Sequence, residues 1–269
     1  MPIREQFSNK GTFGKVLNFC GSKNYIGAAY LSAISSLKIG AGYSALASSQ
    51  QVINSVSPIL PEVVYLTRKQ GLDKINEHSV VLIGCGIGQT LDSKKLLKNV
   101  FDKINPQTPL IIDADGLNLL SAGIIPATKL SSSKKELIIT PHPLEASRLL
   151  DTNTNDILNN MENSAKALSN KFHCTTVLKN HRTVICSKNL ETYTNQNGNS
   201  ALAKAGTGDV LAGIIAGLLA QKMEPFEACK LGVYLHARTG EIASKELTEY
   251  SVLASDIPKF IHKAIKEII

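Results

Sequence analysis

Residues 197–221 read NGNSALAKAGTGDVLAGIIAGLLAQ, a small, glycine-rich half followed by one apolar run of helical character. At the junction stand Gly206, Thr207, Gly208 and Asp209. Glycines there let the backbone turn tightly, so several N–H groups can converge on one anion, and the helix dipole adds positive potential. A carboxylate suits such a place if an incoming phosphoryl group must meet a hydroxyl, because Asp209 can then take the hydroxyl proton. A plainer use of Asp209 is as a helix cap, which aspartate does well. These residues alone leave the two readings level.

Three further clusters follow short apolar runs. Residues 80–83 (VVLI) empty into Gly84-Cys85-Gly86-Ile87-Gly88. Residues 110–112 (LII) deliver Asp113-Ala114-Asp115-Gly116-Leu117-Asn118, and 137–139 (LII) deliver Thr140-Pro141-His142-Pro143-Leu144-Glu145. Buried strands that end in polar or glycine-rich turns are where open α/β sheets place ligands. Two prolines bracket His142 and exclude both strand and helix there, which holds a side chain still. The turn Lys179-Asn180-His181-Arg182 offers three side chains able to carry positive charge, suited to phosphate or an adenine edge; a solvated hairpin tip is equally consistent.

The elements that must position these groups alternate in type. Strand-like runs at 16–19, 43–47, 80–83, 110–112 and 137–139 are separated by helical patterns, the first over 27–38. This predicts βα units and a mainly parallel sheet. A cap and amphipathic helix are expected over 153–168, a hairpin from 175–178 and 183–186, a helix over 225–247, and a last helix capped at Ser255-Asp256 and running towards Ile269. No repeat or linker interrupts the 269 residues, so one domain over 1–269 is expected.

Composition narrows the function classes. A hydrophobic share of 43% and a charged share of 19% are those of a globular protein, and no apolar run approaches the roughly 20 residues that span a bilayer. The first residues lack the apolar core of a signal peptide, so a cytoplasmic location is expected. A net charge of +7 favours anionic ligands, but the basic residues are dispersed and aromatics are only 5%, which argues against nucleic acid. Five scattered cysteines without a C-x-x-C pair predict neither disulfides nor zinc; Cys85 and Cys186 read as small hydrophobes.

Taken together the pieces resemble the ADP- or ATP-dependent NAD(P)H-hydrate dehydratases, a branch of the ribokinase-like fold. The resemblance rests on KGTFGKVL with GSKNYIGAAYLSA, on LKIGAGY, IGCGIGQ, DADGLNLL, TPHPLEASRLL, VLKNHRTVI, AGTGDVLAGIIAGLLAQ and ASDIP, in family order from about Lys10 to Ile261. It implies a three-layer α/β sandwich around a mainly parallel sheet, in the form without the fused epimerase domain. It also implies the repair of hydrated NADH and NADPH (NADHX and NADPHX): ADP or ATP phosphorylates the ring hydroxyl, and phosphate leaves. By the same resemblance Asp209 is the base and touches the substrate, with Ala28, Gly88 and His142 as further substrate contacts. Lys179, Asn180, His181, Arg182 and Thr183 hold the nucleotide's adenosine part, and Gly206, Thr207 and Gly208 its transferred phosphoryl group. Mg2+ is implied as cofactor without assigned ligands, and a homo-oligomer, a tetramer among the options, as the assembly.

Two departures from the family pattern stand out. The family's donor loop has glycines between its lysine and threonine, where this chain has Asn180, His181 and Arg182. Before the anion pocket the family has Thr-Gly-Gly, where this chain has Lys204-Ala205-Gly206. Two other readings compete: a hydroxyethylthiazole or hydroxymethylpyrimidine kinase of the same fold, and a nucleotide-binding regulator without catalysis. DADGLN, TPHP and NYIGAA together favour the dehydratase over the kinases, while the choice between ADP and ATP is left open.

Overall fold

The computed structural model describes residues 1–4 and 6–269. Nine strands form one sheet: β1 Lys15–Phe19, β2 Tyr43–Ser48, β3 Val64–Thr67, β4 Val80–Ile83, β5 Leu110–Ile112, β6 Leu137–Ile139, β7 Thr175–Leu178, β8 Val184–Cys186 and β9 Thr192–Thr194. Their spatial order is β3-β2-β1-β4-β5-β6-β7-β8-β9. Pairings from β3 through β7 are parallel, and the last two are antiparallel. Parallel neighbours need crossover connections, and helices supply them on both faces.

Side chains of alternate strand residues go to opposite faces. Val16, Val80, Leu82, Ile111, Ile138 and Val177 pack one core with the helices Ile26–Lys38, Thr207–Ala220 and Pro225–Ser251. Leu17, Val81, Ile83, Ile112, Ile139 and Leu178 pack the other with the helices Leu91–Lys103, Pro143–Leu150 and Met161–Phe172. Each such fully buried aliphatic side chain contributes about 1.5–3 kcal/mol relative to exposure.

The helix Thr207–Ala220 is enclosed nearly all round. It lies close against Ile26–Lys38 because its glycines admit the neighbouring backbone: a Cβ on Gly213 would come within 2.3 Å of the Ser32 carbonyl oxygen, and one on Gly217 within 2.6 Å of that of Ser36. The seam fixes the axial position of the helix and therefore of its first turn, which carries Asp209.

Several sequence expectations need adjustment. The span 153–168 is two helices, Thr154–Asn159 and Met161–Phe172, parted at Asn160. The helix from Pro225 continues to Ser251, but Thr248 has φ 67°, ψ 156°, so the regular helix does end near Leu247. Asp256 precedes the last helix, Ile257–Lys266, without capping it; its carboxylate accepts from Leu253 N at 2.9 Å instead. No helix among the described residues is long and apolar enough to cross a membrane.

Candidate active site

The carboxyl ends of β4, β5, β6 and β7 bring four polar clusters together. Gly84 makes the first junction possible: its φ is +127°, and a Cβ there would stand 1.9 Å from the Asp113 carbonyl oxygen. The turn after β4 therefore presses onto the turn after β5, and Cys85 Sγ lies 3.6 Å from Asp113 Oδ2. Asp113, only 1% exposed, accepts at Oδ1 from Thr140 Oγ1 (2.6 Å) after β6 and from Lys179 Nζ (2.7 Å) after β7. Burial alone would lower the Lys179 pKa; Asp113 and Glu145 outweigh it and hold the ammonium above its ordinary value.

Asp209 faces this group from the opposite element. Gly206 occupies the N-cap position in the left-handed region (φ 92°), with no side-chain cap, and Asp209 is the third residue of the helix. Its carboxylate is thus in the first turn, favoured by the helix dipole, but it is not the cap. Burial and then the Asp113 charge push it up to about 7, against the pull of Lys179 and a hydrogen bond from Cys85. A carboxylate poised near neutrality beside a buried ammonium has the proton affinity of a general base. Gly208 faces the same ammonium: a Cβ there would be 3.5 Å from Lys179 Nζ.

His142 is the N-cap of Pro143–Leu150. Its Nδ1 accepts from Leu144 N and Glu145 N at 3.2 and 3.3 Å, while its own N–H donates to Glu145 Oε2 at 2.9 Å. An accepting Nδ1 is unprotonated, and burial with the nearby Lys179 lowers the ring's pKa, so the ring is neutral at pH 7.

Beside this cluster opens a cavity of about 690 Å³. Its wall includes His142, Lys179, Asn180, His181, Thr183, Thr207 and Gly208; Arg182 is not part of it. The TPHP turn and the Lys179 loop stand side by side, since Lys179 N donates to Pro141 O at 2.8 Å. Ala28 and Gly88 are not part of this wall: Ala28 stands beside Gly86, and Gly88, in the turn after β4, donates its N–H to Asp115 Oδ2 at 2.8 Å.

The sequence alone assigns no chemical role to four participants. Cys85 is a neighbour of two carboxylates rather than mere filling. Asp113 carries the network. Asn195 and His236 line the cavity wall, and Asn195 Oδ1 and His236 Nε2 are buried without hydrogen-bond partners among the described residues. Burial pushes His236 down to about 4, so it is neutral. Unpaired buried polar atoms in a cavity wall mark a place where a ligand or water completes the bonding.

Cys85 Sγ and single oxygens of Asp113 and Asp209 lie within 4.8 Å of one another. Magnesium takes oxygen ligands in near-ideal octahedral geometry. Here one donor is a thiol, which Cys20 and burial keep protonated, and Asp113 Oδ1 is already held by Thr140 and Lys179. The cluster does not fit magnesium.

A family model described as NAD(P)H-hydrate dehydratase matches residues 16–263. The chain belongs to the NAD(P)H-hydrate dehydratase family. An ADP-dependent (S)-NAD(P)H-hydrate dehydratase of Neisseria meningitidis is 35% identical over 240 residues, 89% of this chain and 80% of that protein. A bifunctional NAD(P)H-hydrate repair enzyme of Moorella thermoacetica is 31% identical over the whole chain, which spans 52% of that longer relative. Among solved structures, the ADP/ATP-dependent NAD(P)H-hydrate dehydratase of Bacillus subtilis, co-crystallised with ATP/Mg2+, superposes with a TM-score of 0.88 at 30% identity, covering 99% of this chain and 94% of that one. The fold of this family member is ribokinase-like. A hydroxyethylthiazole kinase of Pyrococcus horikoshii, 14% identical with a TM-score of 0.69, shares the fold alone.

Proposed function

We propose that this chain is a nucleotide-dependent NAD(P)H-hydrate dehydratase, returning NADHX and NADPHX to NADH and NADPH at the expense of ADP or ATP. The observation that carries the proposal is Asp209, a carboxylate pushed up to about 7 at a glycine-lined helix N-terminus facing Lys179. The nucleotide enters the 690 Å³ cavity, its base between Leu202, Leu211 and Val233 and its phosphates towards Thr207, Gly208 and Lys179; Gly206, the N-cap just before Thr207, is not itself part of the wall. The hydrated ring reaches Asp209 from the Ala28 and Gly88 side, with His142 at the meeting point.

Hydroxide is a poor leaving group and phosphate a good one. Asp209 takes the ring hydroxyl's proton as its oxygen bonds to the terminal phosphorus, and the bond from phosphorus to the departing nucleotide breaks. Backbone N–H groups and Lys179 hold the charge that develops on the phosphoryl oxygens. The ring C–O bond then breaks as phosphate departs, and loss of a proton from the adjacent carbon restores the double bond. No step is assigned to magnesium, for which the cluster is unsuited. A cytoplasmic homo-oligomer belongs to the same reading, on the family resemblance; sedimentation velocity tests the assembly.

The direct test is incubation with NADHX and each nucleotide in turn. Recovery of NADH absorbance with stoichiometric phosphate release is expected. Release of nothing, or a lasting phosphorylated alcohol, refutes the dehydratase reading and favours the regulator or the kinase. The donor loop gives a second expectation. His181 borders the cavity and Arg182 does not, so Arg182→Ala is expected to leave ADP affinity within about twofold and its salt dependence unchanged, as for an exposed charge. Titration calorimetry at two ionic strengths checks this; a marked loss in Arg182→Ala would place that guanidinium on the donor's phosphates.

A further inference from the structure

At the carboxyl ends of β3, β1 and β4 stands a group of side chains that the phosphoryl chemistry leaves unused. Arg68 opens the helix Arg68–Asp73 directly after β3. Its Nη2 donates to the Gly21 carbonyl oxygen at 3.2 Å, in the loop after β1. Gly21 N donates in turn to Cys85 O at 2.8 Å. The guanidinium is therefore one loop removed from the Gly84–Gly88 turn.

Arg68 is half-buried, and no carboxylate among the described residues forms an ion pair with it; Asp92 attracts it only from a distance. Arginine has five donors, and charged groups drawn out of water are ordinarily paired. Among the described residues its one hydrogen bond, to Gly21, leaves most of that capacity open. In the same loop as Gly21, Tyr25 is 57% exposed, and it packs so closely on the β4 turn that a Cβ on Gly86 would come within 2.5 Å of the Tyr25 Cβ. Leu91, the first residue of the helix after the Gly88 turn, is 72% exposed. An exposed aromatic ring, a glycine turn open to backbone approach and an unpaired guanidinium are the chemistry that accepts a sugar or base next to a phosphate.

The strand order gives this surface its direction. The cavity is walled by residues that follow β6, β7 and β9, whereas Ala28, Gly88 and Arg68 follow β1, β4 and β3, towards the other edge of the sheet. Two ligands that must react at Asp209 then arrive from opposite edges of the sheet. A dinucleotide whose ring reaches Asp209 past Gly88 is too long to end there, and its remainder runs outward along this edge. We infer that Arg68 anchors a phosphate of the hydrated dinucleotide, either the pyrophosphate or the 2′-phosphate of the NADPHX form, with Tyr25 covering the segment between. This rests on the dehydratase reading.

The test uses Arg68→Gln and Arg68→Lys in the full chain, with NADHX and NADPHX as substrates and with NADH and NADPH as stable binding probes. Arg68→Gln is expected to raise KM at least tenfold while kcat and the KM for ADP stay put, with Arg68→Lys intermediate. A loss with both dinucleotides assigns the pyrophosphate; a loss with NADPHX and NADPH alone assigns the 2′-phosphate. Unchanged KM and unchanged probe binding in a folded Arg68→Gln would overturn the assignment while leaving the dehydratase standing. If the wild-type chain binds NADPH through Arg68 yet turns over no hydrate, the functional reading fails and the phosphate anchor stands.

Discussion

Asp209→Asn is expected to keep the fold and bind nucleotide while losing about 10²- to 10⁴-fold in turnover, the usual cost of removing a general base. The amide keeps the shape of the side chain but cannot take a proton. In the wild type, turnover should rise with pH through about 7, the value to which burial and the Asp113 charge push this carboxyl, because only the ionised form is a base. Stability should run the other way. The folded-state pKa lies above the ordinary 3.8, so the folded protein binds more protons between the two values, and stability falls as pH climbs from about 4 to 7. Asparagine carries no charge to bury, so the variant should melt higher than wild type at pH 8 and lose that advantage near pH 4. A folded Asp209→Asn with near wild-type turnover would remove Asp209 from the chemistry.

What the sequence discloses of this design follows burial. β4, β5 and β6 are enclosed on both faces, and each reads as an unbroken apolar run with the observed bounds. β3 at the sheet edge has the short run 63–66 (VVYL) but only Leu66 of the strand is buried, and β9, with TYT, has no apolar run at all, so neither stands out locally as a strand. The site divides in the same way. Its glycines, prolines and charged turn residues announce themselves because each directly follows a buried strand. The contact from Lys179 to Asp113 crosses 66 positions and depends on β5, β6 and β7 being neighbours, which no local pattern encodes. His236 lies in a helical stretch with nothing local to set it apart, and only the position of that helix over the cavity gives it meaning. The ends of the cleft show the same limit. The family resemblance gives the TPHP turn to the substrate and the Lys179 loop to the nucleotide, yet the adjacent strands β6 and β7 stand the two side by side.

Lys179→Met should be the most destabilising single change at the site. It leaves the Asp113 carboxylate, 1% exposed, with Thr140 as its remaining strong partner. Removing one member of a buried pair costs about 3–5 kcal/mol, because the other charge is left uncompensated. In a chain of this size that corresponds to a fall in Tm on the order of 10 °C. Adding Asp113→Asn should return most of the stability, since no charge then remains to be paired. Turnover should not return with it if Lys179 also steadies the phosphoryl oxygens beside Gly208. The pH profile separates the parts further. Lys179 lowers the Asp209 pKa and Asp113 raises it, so the alkaline-rising limb of turnover should move to higher pH in Lys179→Met and to lower pH in Asp113→Asn. Thermal melts and pH–rate profiles of the two single variants and the double variant close the cycle. A Lys179→Met as stable as wild type would show that the pair holds nothing together, and full turnover in the double variant would make Lys179 a structural partner of Asp113 and no more.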